Sequence, residues 1–182
     1  MSAYGEKLDA HTVRFERLLP GPIERIWEYL VDSDKRGEWF AKGPLPAKVG
    51  ETFELSFKHS ELSPNQAEPP ARFAEMDRTG ASGREVLLAI EPPHRIMFSF
   101  GHEDERASEV EIRLVEEGDP KGSKVRLILT HSRIPDRAYA LNISGGWHSH
   151  LDILQYKADG RVPPAFWDVW RAIEGTYEAQ YD

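Results

Sequence analysis

The sequence predicts an α+β fold, in which a run of antiparallel strands is combined with a few amphipathic helices. Apolar and polar residues alternate along segments such as 110–114, which is typical of an antiparallel strand with one buried face and one solvated face. The apolar residues of 22–31 instead follow the i, i+3, i+4, i+7 spacing of a helix with one apolar side. A chain of 182 residues suits one domain of ordinary size.

Alternation and turn residues together place six strands. Within the third of these segments, 84–91, we expect Val86, Leu88 and Ile90 to face the core. The later strands are joined by short connections, so a meander is the simplest topology. The predicted strands are 13–19, 52–59, 84–91, 95–100, 110–114 and 125–129.

Helices are predicted between the first two strands and after the last strand. A short second helix, capped by Ser33, is expected to end near Trp39 and Phe40. A long late helix is expected to start at Asp136 and to end near Asp159–Gly160, and a final helix follows Pro163–Pro164. Gly145–Gly146 implies that the late helix is broken or that its backbone closely approaches something. Three prolines make 60–82 irregular, apart from one possible helical turn at 72–77.

Composition excludes several classes of function. The formal net charge is −8 and no block of Lys or Arg occurs, so neither nucleic acid nor an anionic membrane is an expected partner. No apolar stretch is long enough to span a bilayer, and residues 1–11 do not resemble a secretion signal. The absence of cysteine excludes thiolate chemistry. We therefore expect a cytoplasmic protein without membrane insertion.

The histidines do not predict a metal site. His59, His102 and His131 extend three apolar rows in phase and would lie at one end of a meander. Strands about 4.8 Å apart place the outermost two roughly 19 Å from each other, which is too far for shared ligation of zinc. His148 and His150 lie two residues apart on a helix, and we expect them at the surface or rim. We find no carboxylate in phase with an inward face, and we expect no metal and no cofactor.

The order of several short motifs resembles the START-like (SRPBCC) superfamily over about residues 12–157. The closest branch comprises the bacterial relatives of the activator of the heat-shock-protein ATPase. The motifs are strand, proline and Ile-x-x-x-Trp over 14–30; Trp39; Gly-Glu-Thr-Phe at 50–53; Glu-Pro-Pro-His-Arg-Ile at 91–96; Ser-Glu-Val at 108–110; Thr130–His131; and Gly146–Trp147.

This resemblance implies a helix-grip fold, in which a curved antiparallel sheet wraps around the long late helix and often leaves an apolar cavity. It implies a START-like domain over 1–160 and a C-terminal helical extension over 161–182 that packs on it. The expected function is binding of a small hydrophobic ligand. Two alternatives are an enzyme on this scaffold, such as a cyclase or hydrolase of aromatic substrates, and a co-chaperone-like or dimerising interaction module, for which a homodimer is possible.

The expected ligand contacts are the aromatic and apolar residues that would meet between sheet and helix, together with one histidine. We expect His131 at the mouth of the cavity, where it could bind the ligand or act as an acid–base group. The indole N–H of Trp39 or Trp147 would be a further polar contact. No catalytic residue is assigned. The candidate ligand-binding residues are Trp39, Phe57, Phe98, Phe100, His131, Trp147 and Leu151.

Overall fold

A computed structural model describes residues 4–101, 107–118 and 123–181. Within these residues seven strands form one antiparallel sheet, and five α-helices accompany it. The strands are β1 (Glu6–Asp9), β2 (Thr12–Pro20), β3 (Thr52–Phe57), β4 (Ala81–Glu91), β5 (Arg95–Phe100), β6 (Ser108–Glu117) and β7 (Lys124–Ser132). The helices are α1 (Ile23–Val31), α2 (Ser33–Gly37), α3 (Ala74–Thr79), α4 (Arg137–Ala158) and α5 (Phe166–Tyr181).

The strand order β1-β2-β7-β6-β5-β4-β3 confirms the predicted meander from β3 to β7. Strand β2 pairs with β7 over its whole length and continues the sheet on that side. The long helix α4 packs against this sheet, and α5 packs against α4. These features confirm the α+β helix-grip fold. No helix in the described part of the chain has the length and apolarity needed to cross a membrane.

Strand β4 departs from the predicted phase. The residues of β4 that are almost fully buried are Glu85 and Leu87, whereas Val86 and Leu88 are only partly buried. The pairing register between β4 and β5 shifts between Leu87 and Ala89, as in a β-bulge. Since one extra residue reverses the direction of every side chain beyond it, the inward prediction was wrong for Val86 and Leu88, whereas Ile90, beyond the shift, packs against the core. The carboxylate of Glu85 takes an inward position instead.

The connection after α1 is held by a buried arginine. Helix α1 confirms its prediction, but Asp32, and not Ser33, caps α2, because its carboxylate accepts a hydrogen bond from the backbone N–H of Lys35. The Arg36 guanidinium donates to three backbone carbonyl groups, those of Leu30, Ala41 and Gly43. Burial lowers the pKa of Arg36 to about 10. These bonds fix the loop that carries Trp39 and Phe40 against the sheet.

Helix α4 is continuous through its two glycines, so a close approach explains them. A Cβ atom on Gly145 would lie 3.0 Å from the nearest ring atoms of Trp170, on α5. At Gly146 the nearest atom would be 3.9 Å away, which is ordinary contact. The start of α4 follows the prediction, since the side chain of Asp136 accepts a hydrogen bond from the backbone N–H of Tyr139.

Helix α5 buries its aromatic stripe within the same chain. Phe166, Trp170, Ile173 and Tyr177 are all at most 5% exposed. The Tyr177 hydroxyl also accepts a hydrogen bond from the backbone N–H of Gly5 at 2.8 Å, which holds the unpredicted strand β1 beside the helix. The stripe therefore offers no free surface to a partner.

The two glycines of α4 should respond differently to alanine. Gly146→Ala should stabilise the protein by about 1 kcal/mol, because alanine favours a helix over glycine and the new methyl group meets no clash. Gly145→Ala should gain less or destabilise, because the Trp170 ring would have to move. Urea unfolding of both variants measures the difference, and equal effects at the two positions would contradict the close packing.

Candidate functional site

A cavity of about 300 Å³ lies between the end of the sheet, α4 and α5. Its wall is aromatic on most sides, and the indole of Trp147 forms part of it. The exposed side chain of Asn142 also lines it, so the cavity reaches the protein surface there. The remaining lining residues are Phe40, Phe57, His59, Phe73, Met76, Ala81, Phe100, Ile143, Gly146, His150, Phe166, Trp167 and Trp170.

A second, larger hollow of about 410 Å³ follows the outer side of β3. Its lining includes the exposed charged side chains of Glu54, Lys58 and Glu61. Small-molecule sites are usually lined by apolar and aromatic groups with few polar ones, and exposed charges of both signs are better solvated by water. The aromatic cavity is therefore the candidate site.

The structure brings three of the seven predicted residues to this cavity. Phe57, Phe100 and Trp147 lie in its wall. The other four lie in the packed core: Trp39, His131 and Leu151 are fully buried, and Phe98 packs edge to face on Phe53 with ring centroids 6.1 Å apart. None of these four lines the cavity. Aromatic residues in phase with an inward face thus divide between the core and the cavity.

His131 is the centre of a buried hydrogen-bonded chain and does not lie at a cavity mouth. The indole N–H of Trp147 donates to His131 Nδ1 at 2.9 Å. Because Nδ1 accepts, the neutral ring carries its proton on Nε2, which donates to Ser108 Oγ at 2.7 Å. Ser108 in turn donates to the carbonyl oxygen of Phe100 at 2.9 Å. Burial lowers the pKa of His131 to about 3.

This chain of bonds corrects three expectations about polar ligand contacts. Both ring nitrogens of His131 are engaged within the protein, so neither is available to a ligand or for proton transfer. The N–H of Trp147 is engaged by His131. The N–H of Trp39 donates to the carbonyl oxygen of Tyr29 at 2.8 Å. These groups instead fix the orientation of the Trp147 ring, which the cavity uses as a wall.

The histidines predicted at the surface are buried instead. His148 and His150 are at most 4% exposed, because α5 covers the side of α4 that the sheet leaves open. His148 Nδ1 lies 2.9 Å from the Tyr177 hydroxyl, and its Nε2 lies 3.4 Å from a carboxylate oxygen of Asp152. Asp152 also accepts from Arg17 at 2.8 Å. This network joins α4, α5 and β2 away from the cavity.

His150 is the titratable group on α4 that reaches the cavity. Its Nδ1 lies 2.7 Å from the carbonyl oxygen of Trp39. A carbonyl oxygen only accepts, so Nδ1 must carry a proton. Burial holds the pKa of His150 well below its usual range, and the neighbouring ring of His59 lowers it further. His150 is therefore neutral, and its Nε2 carries a lone pair.

His59 reaches the cavity from the segment that follows β3. It lies in a 3-10 turn, His59–Glu61, and not at the end of β3 as its apolar row predicted. Its ring centroid is 5.3 Å from that of His150, and burial lowers its pKa to about 4. The same segment forms a second 3-10 turn, Ala71–Phe73, and α3, which supply Phe73 and Met76 to the wall.

The segment 60–80 is anchored over the cavity by a few polar contacts. The carboxylate of Asp77 accepts from the indole N–H of Trp167 at 3.0 Å and from Ser60. Ser63 and Asn65 donate to the carbonyl oxygen of Pro163 at 2.7 and 2.8 Å. These bonds tie the segment to the start of α5, so both elements close the cavity together.

A buried carboxylate was missed because the bulge in β4 was not visible in the sequence pattern. Glu85 accepts hydrogen bonds from Ser99 Oγ at 3.1 Å and from the backbone N–H of Gly101 at 3.2 Å. Burial raises its pKa. Glu85 does not line the cavity. His102, the remaining one of the three histidines that extend apolar rows in phase, lies outside the described residues. Among the residues that are described, no group of three metal-ligating side chains forms.

The sequence that forms this architecture matches a known protein family. Residues 20–156 match the family model described as activator of Hsp90 ATPase homolog 1-like protein. The chain belongs to this family. The family is part of the SRPBCC superfamily, which confirms the resemblance seen in the sequence. The matched segment contains the whole meander and nearly all of α4, whereas α5 and its three cavity residues lie beyond it.

Solved structures of related proteins share the arrangement. A Bordetella parapertussis protein, determined by solution NMR, is 47% identical with a TM-score of 0.80, over 97% of this chain and 90% of that one. CalU16 from Micromonospora echinospora is 20% identical with a TM-score of 0.65, over 98% and 94%. DynU16, from the dynemicin biosynthetic locus, is 16% identical with a TM-score of 0.58, over 85% and 49%. The last two show the shared fold alone. No curated protein matches this chain significantly.

The hydrogen bonds of this family member predict opposite tautomers for two buried histidines. His131 should be protonated on Nε2, because its Nδ1 accepts from Trp147. His150 should be protonated on Nδ1, because that atom faces a carbonyl oxygen. Long-range ¹H–¹⁵N NMR spectra of the imidazole rings at neutral pH distinguish the two forms. The same tautomer at both positions would contradict the described geometry.

Buried neutral histidine should make stability depend on pH. The unfolded chain takes up a proton at each histidine below about pH 6.5, whereas His131 remains neutral in the folded protein down to about pH 3. Stabilisation by His131 is thus complete above about pH 6.5 and decreases as the pH falls toward 3, by about 2 kcal/mol between pH 7 and 5.

Replacement of His131 isolates this contribution. His131→Phe should be less stable than the wild type at pH 7, and the difference should shrink by about 2 kcal/mol at pH 5. Urea unfolding at both pH values measures it. His94→Gln, which changes an exposed side chain, should show the same difference from the wild type at both. A difference for His131→Phe that does not depend on pH would disprove the neutral state.

Proposed function

We propose that the protein binds a small, neutral, aromatic molecule in the cavity between the sheet, α4 and α5. The observation that supports this most directly is the void beside Trp147, which the core side chains leave open. A protein whose only task lay on its surface would gain stability by filling such a space, because cavities in a core are destabilising.

The size of the cavity limits the ligand. An apolar cavity of about 150 Å³ accommodates benzene, so about 300 Å³ suits a molecule of two fused rings or a similar size. Ligand pockets in proteins begin at about this volume. The wall presents ring faces and edges from several directions, such as Phe40, whose ring is stacked on Trp147 at a centroid distance of 4.7 Å. Flat aromatic molecules pack well in such a wall.

The charge of the wall also limits the ligand. Among the described residues, no Asp, Glu, Lys or Arg lines the cavity, and burial keeps both histidines in their neutral forms. An ion that entered would lose its hydration without meeting an opposite charge, which costs several kcal/mol. The proposed ligand is therefore uncharged.

The superfamily supports ligand binding, because the SRPBCC fold is associated with ligand binding and with polyketide cyclase-like roles. DynU16, which shares the fold, lies in a locus for the biosynthesis of dynemicin. An interaction module built on the aromatic stripe of α5 is less well supported, because that stripe is buried against α4. An enzyme with His131 as its acid–base group is disfavoured by the two bonds that occupy its nitrogens.

Titration with a bicyclic probe tests the proposal. Naphthalene should bind in calorimetric titration with a negative heat-capacity change, as expected for burial of apolar surface. The carboxylate 2-naphthoate should bind at least tenfold more weakly, because its charge would be desolvated without a partner. Failure of naphthalene to bind would overturn the proposed function.

A pair of glycine variants locates the probe. Gly146→Leu places a bulky side chain on the cavity wall and should weaken naphthalene binding at least tenfold. Gly175→Leu makes the same change on α5, where nothing lies within 4 Å of the new Cβ atom, and should leave binding unchanged. If both variants bind naphthalene like the wild type, the probe occupies a different site.

A further inference from the structure

We propose that His150 Nε2 is the specificity-determining acceptor of this cavity, and that the ligand is an aromatic molecule with a hydroxyl group that donates a hydrogen bond to it. This inference rests on the proposed function and defines its substrate class more closely: phenols and enols, as opposed to hydrocarbons, ethers or carboxylates.

The orientation of the His150 ring is the first step. Its Nδ1 is held 2.7 Å from the carbonyl oxygen of Trp39, and that carbonyl belongs to the loop that Arg36 pins through three backbone oxygens. The proton on Nδ1 is therefore fixed, and Nε2 of the neutral ring can only accept. The neighbouring rings of Phe40, at a centroid distance of 5.1 Å, and Phe166, at 4.8 Å, pack against the imidazole and limit its movement.

The second step is that this acceptor lacks a partner. No described residue donates a hydrogen bond to His150 Nε2, although the side chain is only 4% exposed. The other buried polar side chains along this stretch of α4 are bonded: Ser144 to Tyr181, Trp147 to His131, and Ser149 to the carbonyl oxygen of Gly145. This acceptor is open to the cavity, whereas the fully buried side-chain atom without a partner among the described residues is Trp170 Nε1, whose indole also lines the cavity. A ligand hydroxyl group, which both donates and accepts, suits a wall with one free acceptor and one free N–H.

The third step concerns the donor. A lone pair on nitrogen accepts a hydrogen bond from an O–H or N–H group. It repels the lone pairs of a carboxylate or an ether oxygen, and a hydrocarbon offers it no hydrogen bond. The ring of His59, 5.3 Å away between centroids, has no hydrogen bond among the described residues and in its neutral form carries one N–H. A hydroxyl group both donates and accepts, so a single ligand oxygen between the two rings can satisfy both imidazoles. A cation would meet no carboxylate from the residues of this wall that the structure describes.

Three probes of the same shape test the inference in the wild-type protein. 2-Naphthol, 2-methoxynaphthalene and naphthalene differ only at one position. A hydrogen bond worth roughly 1.4 kcal/mol corresponds to a factor of about ten in the dissociation constant. We expect 2-naphthol to bind about tenfold more tightly than either of the other two, although naphthalene is the more hydrophobic.

Two substitutions at the acceptor identify the atom. His150→Asn keeps an amide N–H that can reach the Trp39 carbonyl and removes the group at the Nε2 position, so the preference for 2-naphthol should vanish while naphthalene still binds. His150→Gln places an amide oxygen near the Nε2 position and should restore part of the preference. Circular dichroism and thermal unfolding establish that both variants fold.

The ¹⁵N resonance of His150 Nε2 gives a readout that needs no variant. In the wild-type protein it should move toward the value of a hydrogen-bonded nitrogen with 2-naphthol and should not do so with 2-methoxynaphthalene. Absence of that movement, equal affinity of the three probes, or a preference that survives in His150→Asn would each overturn the inference. If naphthalene binds in any of these cases, the proposed function still stands; if no probe binds, the proposed function itself fails.

Discussion

Helix α4 is covered by the sheet on one side and by α5 on the other, and this enclosure determines where the polar groups of the domain lie. A buried polar side chain without a partner costs roughly 1–3 kcal/mol, so residues 144–150 must find hydrogen bonds inside the protein. They do so with β7 through His131, with α5 through Tyr177 and Tyr181, and with the loop after α2 through Trp39. Packing and hydrogen bonding thus specify the same position for α4. One acceptor of this helix, His150 Nε2, has no partner among the described residues and faces the cavity.

The parts of the fold that could be predicted are those in which the periodicity of one segment decides the outcome. Strand β7 alternates without interruption, and α1 repeats its apolar residues with helical spacing from Ile23 to Leu30. The start of α4 could be predicted from a single cap, Asp136. The superfamily could be identified because its motifs occur in order along the meander. In each case the deciding residues are neighbours in sequence.

The candidate site was predicted less well, because it depends on residues that are far apart in the chain. The phase of their strands indicated that Phe57 and Phe100 share an inward face, but it could not show that the ring of His150 turns toward a carbonyl group 111 residues earlier. The register shift in β4 carried Glu85 inward against the simple alternation. The segment 60–80 has no periodicity, and the positions of Phe73 and of the adjoining His59 follow from the bonds of this segment to Trp167 and Pro163.

The aromatic residues that α5 brings to the cavity have an evolutionary consequence. Phe166, Trp167 and Trp170 all follow residue 156, where the match to the family ends. Family members that share only the matched region would lack the part of the cavity wall that α5 supplies. In such proteins the cavity would be an open groove beside the long helix. Choice of ligand can therefore diverge by exchange of a terminal appendage while the sheet is conserved. Function transferred between relatives is safest when this appendage is aligned as well as the common region.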